Sequence, residues 1–343
     1  STIATVTPLN HLNEDNYTFL VAGSILTSVG SLGEDQTFQY TVVFPHGGAI
    51  QNSLINLTGD VHTLLGNSNT PFSSPQGLTT DGTYLYVADT YNKKIQKITL
   101  TNSAASLFNL NSLQGEVQPL LEPVDVTASS TYLYILDRGF RRVLEVSLAG
   151  GTPTVIAGGG STGYTDGSGI SAQFNAPNAF TNTKDSLFVA DTCNNTIRRI
   201  DLDTNIVTSL LPPEPGCGSG SSDSDKLNLP TDLTTNGSQL YVADKENSAI
   251  KRIDLNDCKE QEWTNCTFDK IINLNSQPIS IITDGPYIYV GTDDHKIHRY
   301  DLNGSPADNN PFPISAITPQ SLTTDGQSLI YSEEGRNRIV RLH

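Results

Sequence analysis

Two aspartates and an asparagine come nearest, by type and spacing, to a ligand set in this chain. Asp125 and Asp232 each stand two residues after a proline, in matching surroundings, and Asn178 follows Pro177 directly. Carboxylate and amide oxygens suit a hard cation such as calcium, which takes about six to eight oxygen ligands. The competing reading, which the sequence favours, has these oxygens accepting backbone N–H groups where a strand begins. Zinc chemistry would need histidines at the same level, and the segments after Pro75, Pro123, Pro177, Pro230, Pro278 and Pro319 hold none. His295 and His298 read as exposed polar residues, on a turn and a strand. Neither a Ser-His-Asp nor a Gly-x-Ser-x-Gly arrangement is evident. The four cysteines, Cys193, Cys217, Cys258 and Cys266, include no Cys-x-x-Cys pair, so disulfides in an oxidising compartment fit better than zinc. Asn-x-Ser/Thr sequons occur at Asn16, Asn56, Asn194, Asn236, Asn265 and Asn303. They permit N-glycosylation in a secretory pathway; a chain this rich in Asn, Ser and Thr yields about as many by chance.

These residues sit inside an internal repeat. Pro75-Gln-Gly-Leu-Thr-Thr-Asp-Gly runs on to Leu85-Tyr-Val-Ala-Asp89, Asn92 and Ile95. Further copies run from Pro177 through Leu187-Phe-Val-Ala-Asp191, Asn194 and Ile197, and from Pro230 through Leu240-Tyr-Val-Ala-Asp244, Asn247 and Ile250. Weaker copies begin at Pro123, Pro278 and Pro319. The spacing of roughly 40–55 residues is that of a four-stranded propeller blade. Within a copy, Pro-x-x-Leu-Thr-Thr reads as the first strand and an Asp-Gly or Asn-Gly dipeptide as the turn. The alternating Leu-Tyr-Val-Ala run is the second strand and Ile-x-Lys/Arg-Ile the third, its basic residues expected at solvent. Asp-x-x-Asn between the second and third strands reads as a turn in which the side chains accept N–H groups. A fourth strand follows at 104–110, 152–157, 206–211 and 268–274. The sixth copy ends at His343 without one, and residues 60–66 are expected to supply it, closing the ring.

Composition narrows the partners. Lysine plus arginine number 20 against 36 aspartate plus glutamate, a formal charge of −16. That surface repels phosphate backbones and anionic membranes, so nucleic acid is not expected. No apolar run approaches the roughly 18–20 residues of a membrane span. The chain begins at Ser1 and has no methionine, which reads as processing, with signal-peptide removal the favoured cause. Residues 1–59 do not match the repeat. They are expected to form a β-rich arm, and Phe38, Tyr40, Val42 and Phe44 alternate along one of its strands as an anchor for self-association.

The Leu-Tyr-Val-Ala-Asp-Thr-x-Asn-x-x-Ile pattern, with Ala157-Gly-Gly-Gly-Ser-Thr-Gly-Tyr-Thr-Asp-Gly-Ser-Gly-Ile-Ser-Ala-Gln-Phe-Asn-Ala-Pro177, resembles an NHL repeat. The single tryptophan, Trp263, argues against a WD-type propeller. Copies five and six depart from the pattern, with Val290-Gly-Thr-Asp and Tyr331-Ser-Glu333 in place of Val-Ala-Asp. The resemblance covers roughly residues 60–343. It implies an all-β fold, a six-bladed β-propeller at 60–343 closed by its leading strand, after the arm at 1–59. In such a ring Cys258 and Cys266 staple one hairpin, while Cys193 and Cys217 lie on loops that share a face and can meet. The favoured function is a secreted or cell-surface, non-enzymatic binding or structural module whose partners are proteins, copies of itself among them. It needs no cofactor; calcium is the one metal the residues suggest. The alternative is a metal-dependent lyase or lactonase acting in the channel, as relatives of the family imply.

Overall fold

The computed structural model describes residues 4–5, 18–19, 42–43, 49–50, 61–65, 72–113, 119–217, 226–260, 262–264, 266–307 and 318–343. Six antiparallel sheets stand in a ring, and each first strand touches the first strands of both neighbours, the sixth returning to the first. Blade one comprises Pro75–Thr80, Tyr84–Asp89, Lys94–Thr99 and Ala105–Leu107. Blade two comprises Pro123–Ala128, Tyr132–Asp137, Arg142–Ser147 and Thr154–Ala157. Blade three comprises Ala179–Asn182, Ser186–Asp191, Thr196–Asp201 and Ile206–Ser209, with Gly167–Ser168 added on its outer edge. Blade four comprises Pro230–Thr235, Gln239–Asp244, Ala249–Asp254 and Phe268–Asn273. Blade five holds three strands among the described residues: Pro278–Asp284, Tyr287–Thr292 and Ile297–Asp301.

Blade six borrows its last strand from the other end of the sequence. Ser321–Thr324, Leu329–Glu333 and Arg338–Leu342 are followed outward by Val61–Leu65, antiparallel, with Val340 opposite Thr63. The ring closes where the sequence leads one to expect. Ahead of it, Ala4–Thr5 pairs with Thr18–Phe19 and Val42–Val43 with Ala49–Ile50. Phe38, Tyr40, Phe44, Asn16, Asn56 and Asn265 lie outside the described residues.

The core follows from strand alternation, which sends successive side chains to opposite faces of a sheet. In the second strand of blade one, Leu85 and Val87 pack toward blade six, while Tyr86 and Ala88 pack toward blade two. The next blades repeat this, so apolar clusters lie at all six junctions between neighbouring blades. Both disulfides form as expected. Cys193–Cys217 ties the turn after strand two of blade three to the loop beyond strand four, and Cys258–Cys266 staples the short helix Leu255–Glu260 to the start of Phe268–Asn273.

At the end of strand two the repeated carboxylate leaves water. Asp89, Asp137, Asp191 and Asp244 are all fully buried. Each accepts an N–H from the loop leading into its own blade, from Ser73, Glu122, Asn175 and Asn228, at 2.7–2.9 Å. Asn92, Asn194 and Asn247 add a side-chain amide. Strand three supplies the counter-charge: Arg198 stands 2.9 Å from Asp191, Lys251 2.9 Å from Asp244 and Arg142 3.6 Å from Asp137. Burial pushes the carboxyls of Asp137, Asp191 and Asp244 up, and the N–H donors and cations pull them part of the way back. Strand-three bases are expected at solvent from sequence; Arg198 and Lys251 are instead fully buried, because each neutralises a carboxylate that the fold has already desolvated. Blade five has Thr292 at this register position, and Asp293 takes the lead-in N–H of Gln277. Blade six uses Glu333, buried against Arg338.

Removing one member of a buried pair strands the other. Asp244→Ala, which takes from buried Lys251 its carboxylate partner at 2.9 Å, should therefore cost about 3–5 kcal/mol in chemical denaturation, and adding Lys251→Met should recover part of that loss. A double variant no more stable than the single one would show that the pairing is not the source of the loss.

Candidate functional site

Polar side chains gather in two places away from the junction cores: the channel lined by the first strands, and a depression on the face that carries the turns between strands two and three.

In blades one and five as well as in two and four the first strand shifts register just after its proline; such a bulge re-aims a side chain, and in blades two and four that side chain is a carboxylate. These carboxylates are Asp125 and Asp232, and each spans two blades. Asp125 accepts the N–H of Val126 at 2.8 Å and of Phe180, in blade three, at 2.9 Å. Asp232 accepts from Leu233 and from Ile281, in blade five, both at 2.8 Å. Ser321 stands at the same place in blade six, and its Oγ accepts from Leu78 of blade one at 3.2 Å. These side chains clip first strands two to three, four to five and six to one, while Ser280 Oγ donates to Pro319 O at 2.7 Å across blades five and six and Asn178 Nδ2 to Thr231 O across three and four. Thr127 with Asn182, and Thr234 with Thr283, cross the first two of these junctions again. At the alternate blades the position holds Gly77, Ala179 and Ser280. A Cβ at Gly77 would lie 2.1 Å from Asp125 Oδ1, so the closest of these approaches admits glycine alone. Reading every second proline, rather than every proline, is the signal that finds this threefold pattern in the sequence.

The suggested calcium set does not assemble. Asn178 is engaged elsewhere, its Oδ1 accepting from Arg138 at 2.9 Å and its Nδ2 donating to Thr231 O at 2.8 Å. No three His, Cys, Asp or Glu side chains gather as ligands among the described residues. Two carboxylates already accepting backbone N–H groups fall short of calcium's shell of about six to eight oxygens. Their titration is nevertheless unusual. Burial raises Asp125 well above the carboxylate range, the nearby Asp232 charge adds to this, and the Phe180 and Val126 N–H groups oppose it. Asp232, half-buried, is pushed up to about 7 by desolvation, which the N–H groups of Ile281 and Leu233 oppose. His295 is exposed, with Nδ1 3.1 Å from Thr318 Oγ1, and His298 stacks on Tyr300.

Of the described sequon residues, Asn194 is fully buried and its amide donates to Gly163 O and to Asp191, which leaves no room for a glycan in this fold. Asn236 is half-buried and Asn303 exposed. Both lie on the face opposite the depression, in a turn between strands one and two and in one after strand three.

The depression, about 670 Å³, runs over blades one to three. One wall is the turn Thr90, Tyr91 and Lys93, and the floor is the turn from Arg138 to Arg141. The far wall is Asn175 and Ala176, in the loop leading into blade three. Arg138 is held in place by Asn178 and by Glu122 Oε1 at 2.6 Å, and Arg141 by Gly160 O at 2.9 Å. Lys93 is exposed, and the Tyr91 ring stands out at 68 % exposure. Three cations thus line the groove against one carboxylate, Glu122, on a chain whose formal charge is −16.

No protein-family model and no curated protein matches the chain. Solved structures do match, and they are β-propellers. The calcium-binding protein regucalcin from Agrobacterium tumefaciens superposes with a TM-score of 0.59 at 13 % identity, over 83 % of this chain and 93 % of its own. A catalytically inactive virginiamycin B lyase from Staphylococcus aureus, with quinupristin, gives 0.52 at 16 %, over 82 % and 98 %. A nidogen/laminin complex gives 0.50 at 15 %, over 71 % and 84 %. At such identities the likeness is one of fold.

A carboxyl whose pKa is higher folded than unfolded binds its proton more tightly in the fold. Stability should therefore fall as pH rises from about 4 through about 7, and stay low above that. Asp232→Asn removes this titration; it also loses one acceptor, so the slope rather than the level is the readout. Between about pH 5 and about pH 8 the melting temperature of the variant should fall less than that of the native chain, by about 2–4 °C. Equal slopes would remove Asp232 from this account.

Proposed function

We propose that this chain is an extracellular, non-enzymatic binding propeller of NHL type that holds a negatively charged partner in the groove over blades one to three. The observation that carries the reading is the groove's charge: Lys93, Arg138 and Arg141 converge there on a strongly acidic molecule. Local charge of opposite sign to the whole steers a partner to one place and sets its orientation. Arg138 and Arg141 are already tethered, so little side-chain freedom is lost when an anion arrives. Two disulfides accord with an oxidising, extracellular setting. No helix among the described residues is long and apolar enough to cross a membrane.

The lyase or lactonase reading rests on the channel carboxylates Asp125 and Asp232, which the fold uses to clip neighbouring first strands. Their engagement with backbone is a reason for those residues to be present without any reaction.

The binding reading is tested with a fluorescent hexaglutamate peptide, followed by anisotropy. The native chain should bind it, more weakly as salt rises. Lys93→Glu with Arg141→Glu should weaken binding by at least about tenfold, or about 1.4 kcal/mol, with the melting temperature unchanged. Native-like binding by that variant, or none by the native chain, would defeat the proposal.

A further inference from the structure

We infer that the groove's partner is a second copy of this chain, presented by its opposite face; the inference rests on the groove being a site for carboxylates. The opposite face is built from the turns between strands one and two and the links between strands three and four. At blades three and four it exposes Asp185, Asp203, Asp257, Glu260 and Glu262, with Lys184 and Lys259 as the exposed cations among them.

This acidic region is anchored to the core rather than a loose fringe. The helix Leu255–Glu260 turns Leu255 and Cys258 into the core between blades three and four, so Asp257 and Glu260 are left pointing outward. The Cys258–Cys266 bridge fixes the helix from below, and Trp263 packs against the same core. One face therefore carries a stapled acidic knob and the other a concave groove with tethered guanidinium groups. The two are opposite in sign, and both belong to one molecule.

The formal charge of −16 opposes association of copies at a distance. At physiological ionic strength that repulsion is screened beyond about 8 Å, whereas contacts between knob and groove act at hydrogen-bonding range. Because knob and groove lie on opposite faces, each copy that fills a neighbour's groove still offers its own. Such a head-to-tail contact does not close and extends as a row. The groove lies over blades one to three and the knob over blades three and four, so successive copies would be rotated about the row.

Sedimentation velocity of the full chain tests this, at about 150 mM and about 500 mM salt. The sedimentation coefficient should rise with protein concentration in the low salt and stay flat in the high. Asp257→Lys with Glu260→Lys, or Lys93→Glu with Arg141→Glu, should each raise the dissociation constant at least about tenfold. The chain carrying all four changes, with knob and groove exchanged in sign, should associate again. The milder pair Asp257→Asn with Glu260→Gln guards against misfolding and should weaken association in the same direction. A native chain that stays monomeric in low salt, or knob variants that associate like the native chain, would overturn the inference. Hexaglutamate binding separates the two ideas: if it persists without self-association, the groove binds anions and the partner is another molecule. If it is absent as well, the groove reading itself fails.

Discussion

A carboxylate taken out of water loses several kcal/mol of solvation unless its new surroundings replace it, and this chain makes that exchange at the end of strand two in blade after blade. In blades one to four the replacement follows one plan. A lead-in N–H binds one oxygen, a side-chain amide often binds as well, and a cation or amide on strand three answers the charge. The geometry has consequences for the whole blade. The lead-in loop is tied to the turn between strands two and three, so the first strand cannot shift along its neighbour without stranding the charge. Apolar packing between blades is non-directional; the buried carboxylate contributes the register.

The channel relies on the same physics at a different level. First strands present one unpaired edge toward the axis, and an edge N–H left without an acceptor is costly. Asp125 and Asp232 each serve two such N–H groups from adjacent strands. Ser321, with a shorter side chain, serves one. At that third junction Thr79 and Thr323 also keep buried hydroxyls without a partner among the described residues. Three of the six junctions thus carry this clip in unlike form, and the one between blades six and one adds Ser74 to Asn337 and Glu334, and Ser332 to Gln76 O.

Most of the architecture was legible because it depends on local signals. Proline spacing, alternation in Leu-Tyr-Val-Ala and the Asp-Gly turns report single blades, and the absence of a fourth strand after Arg338–Leu342 pointed to the closing strand. The cysteine pairs followed from which loops share a face. What escaped was anything requiring knowledge of a neighbour. Arg198 and Lys251 look like edge-strand cations when strand three is read alone; only the burial of Asp191 and Asp244 explains them. Asn178 looks like a companion of Asp125 in the repeat, yet Arg138, a residue of another blade, has claimed its oxygen. The groove could not be read at all from sequence, since Lys93, Arg138 and Arg141 stand in two different copies and meet only when the ring is formed.

The closing strand Val61–Leu65 sets an order on folding. Its partner strand lies roughly 280 residues further along the chain, and joining segments so far apart carries a loop-closure cost in entropy. Blades one to five can each gather their strands as the chain emerges, since their neighbours in space are neighbours in sequence. The residues that begin the ring must wait, unpaired, until its last residues exist. A chain interrupted before Arg338 would therefore hold five blades and two strands of the sixth, with Leu329–Glu333 lacking its outer partner and Val61–Leu65 lacking the strand it closes on.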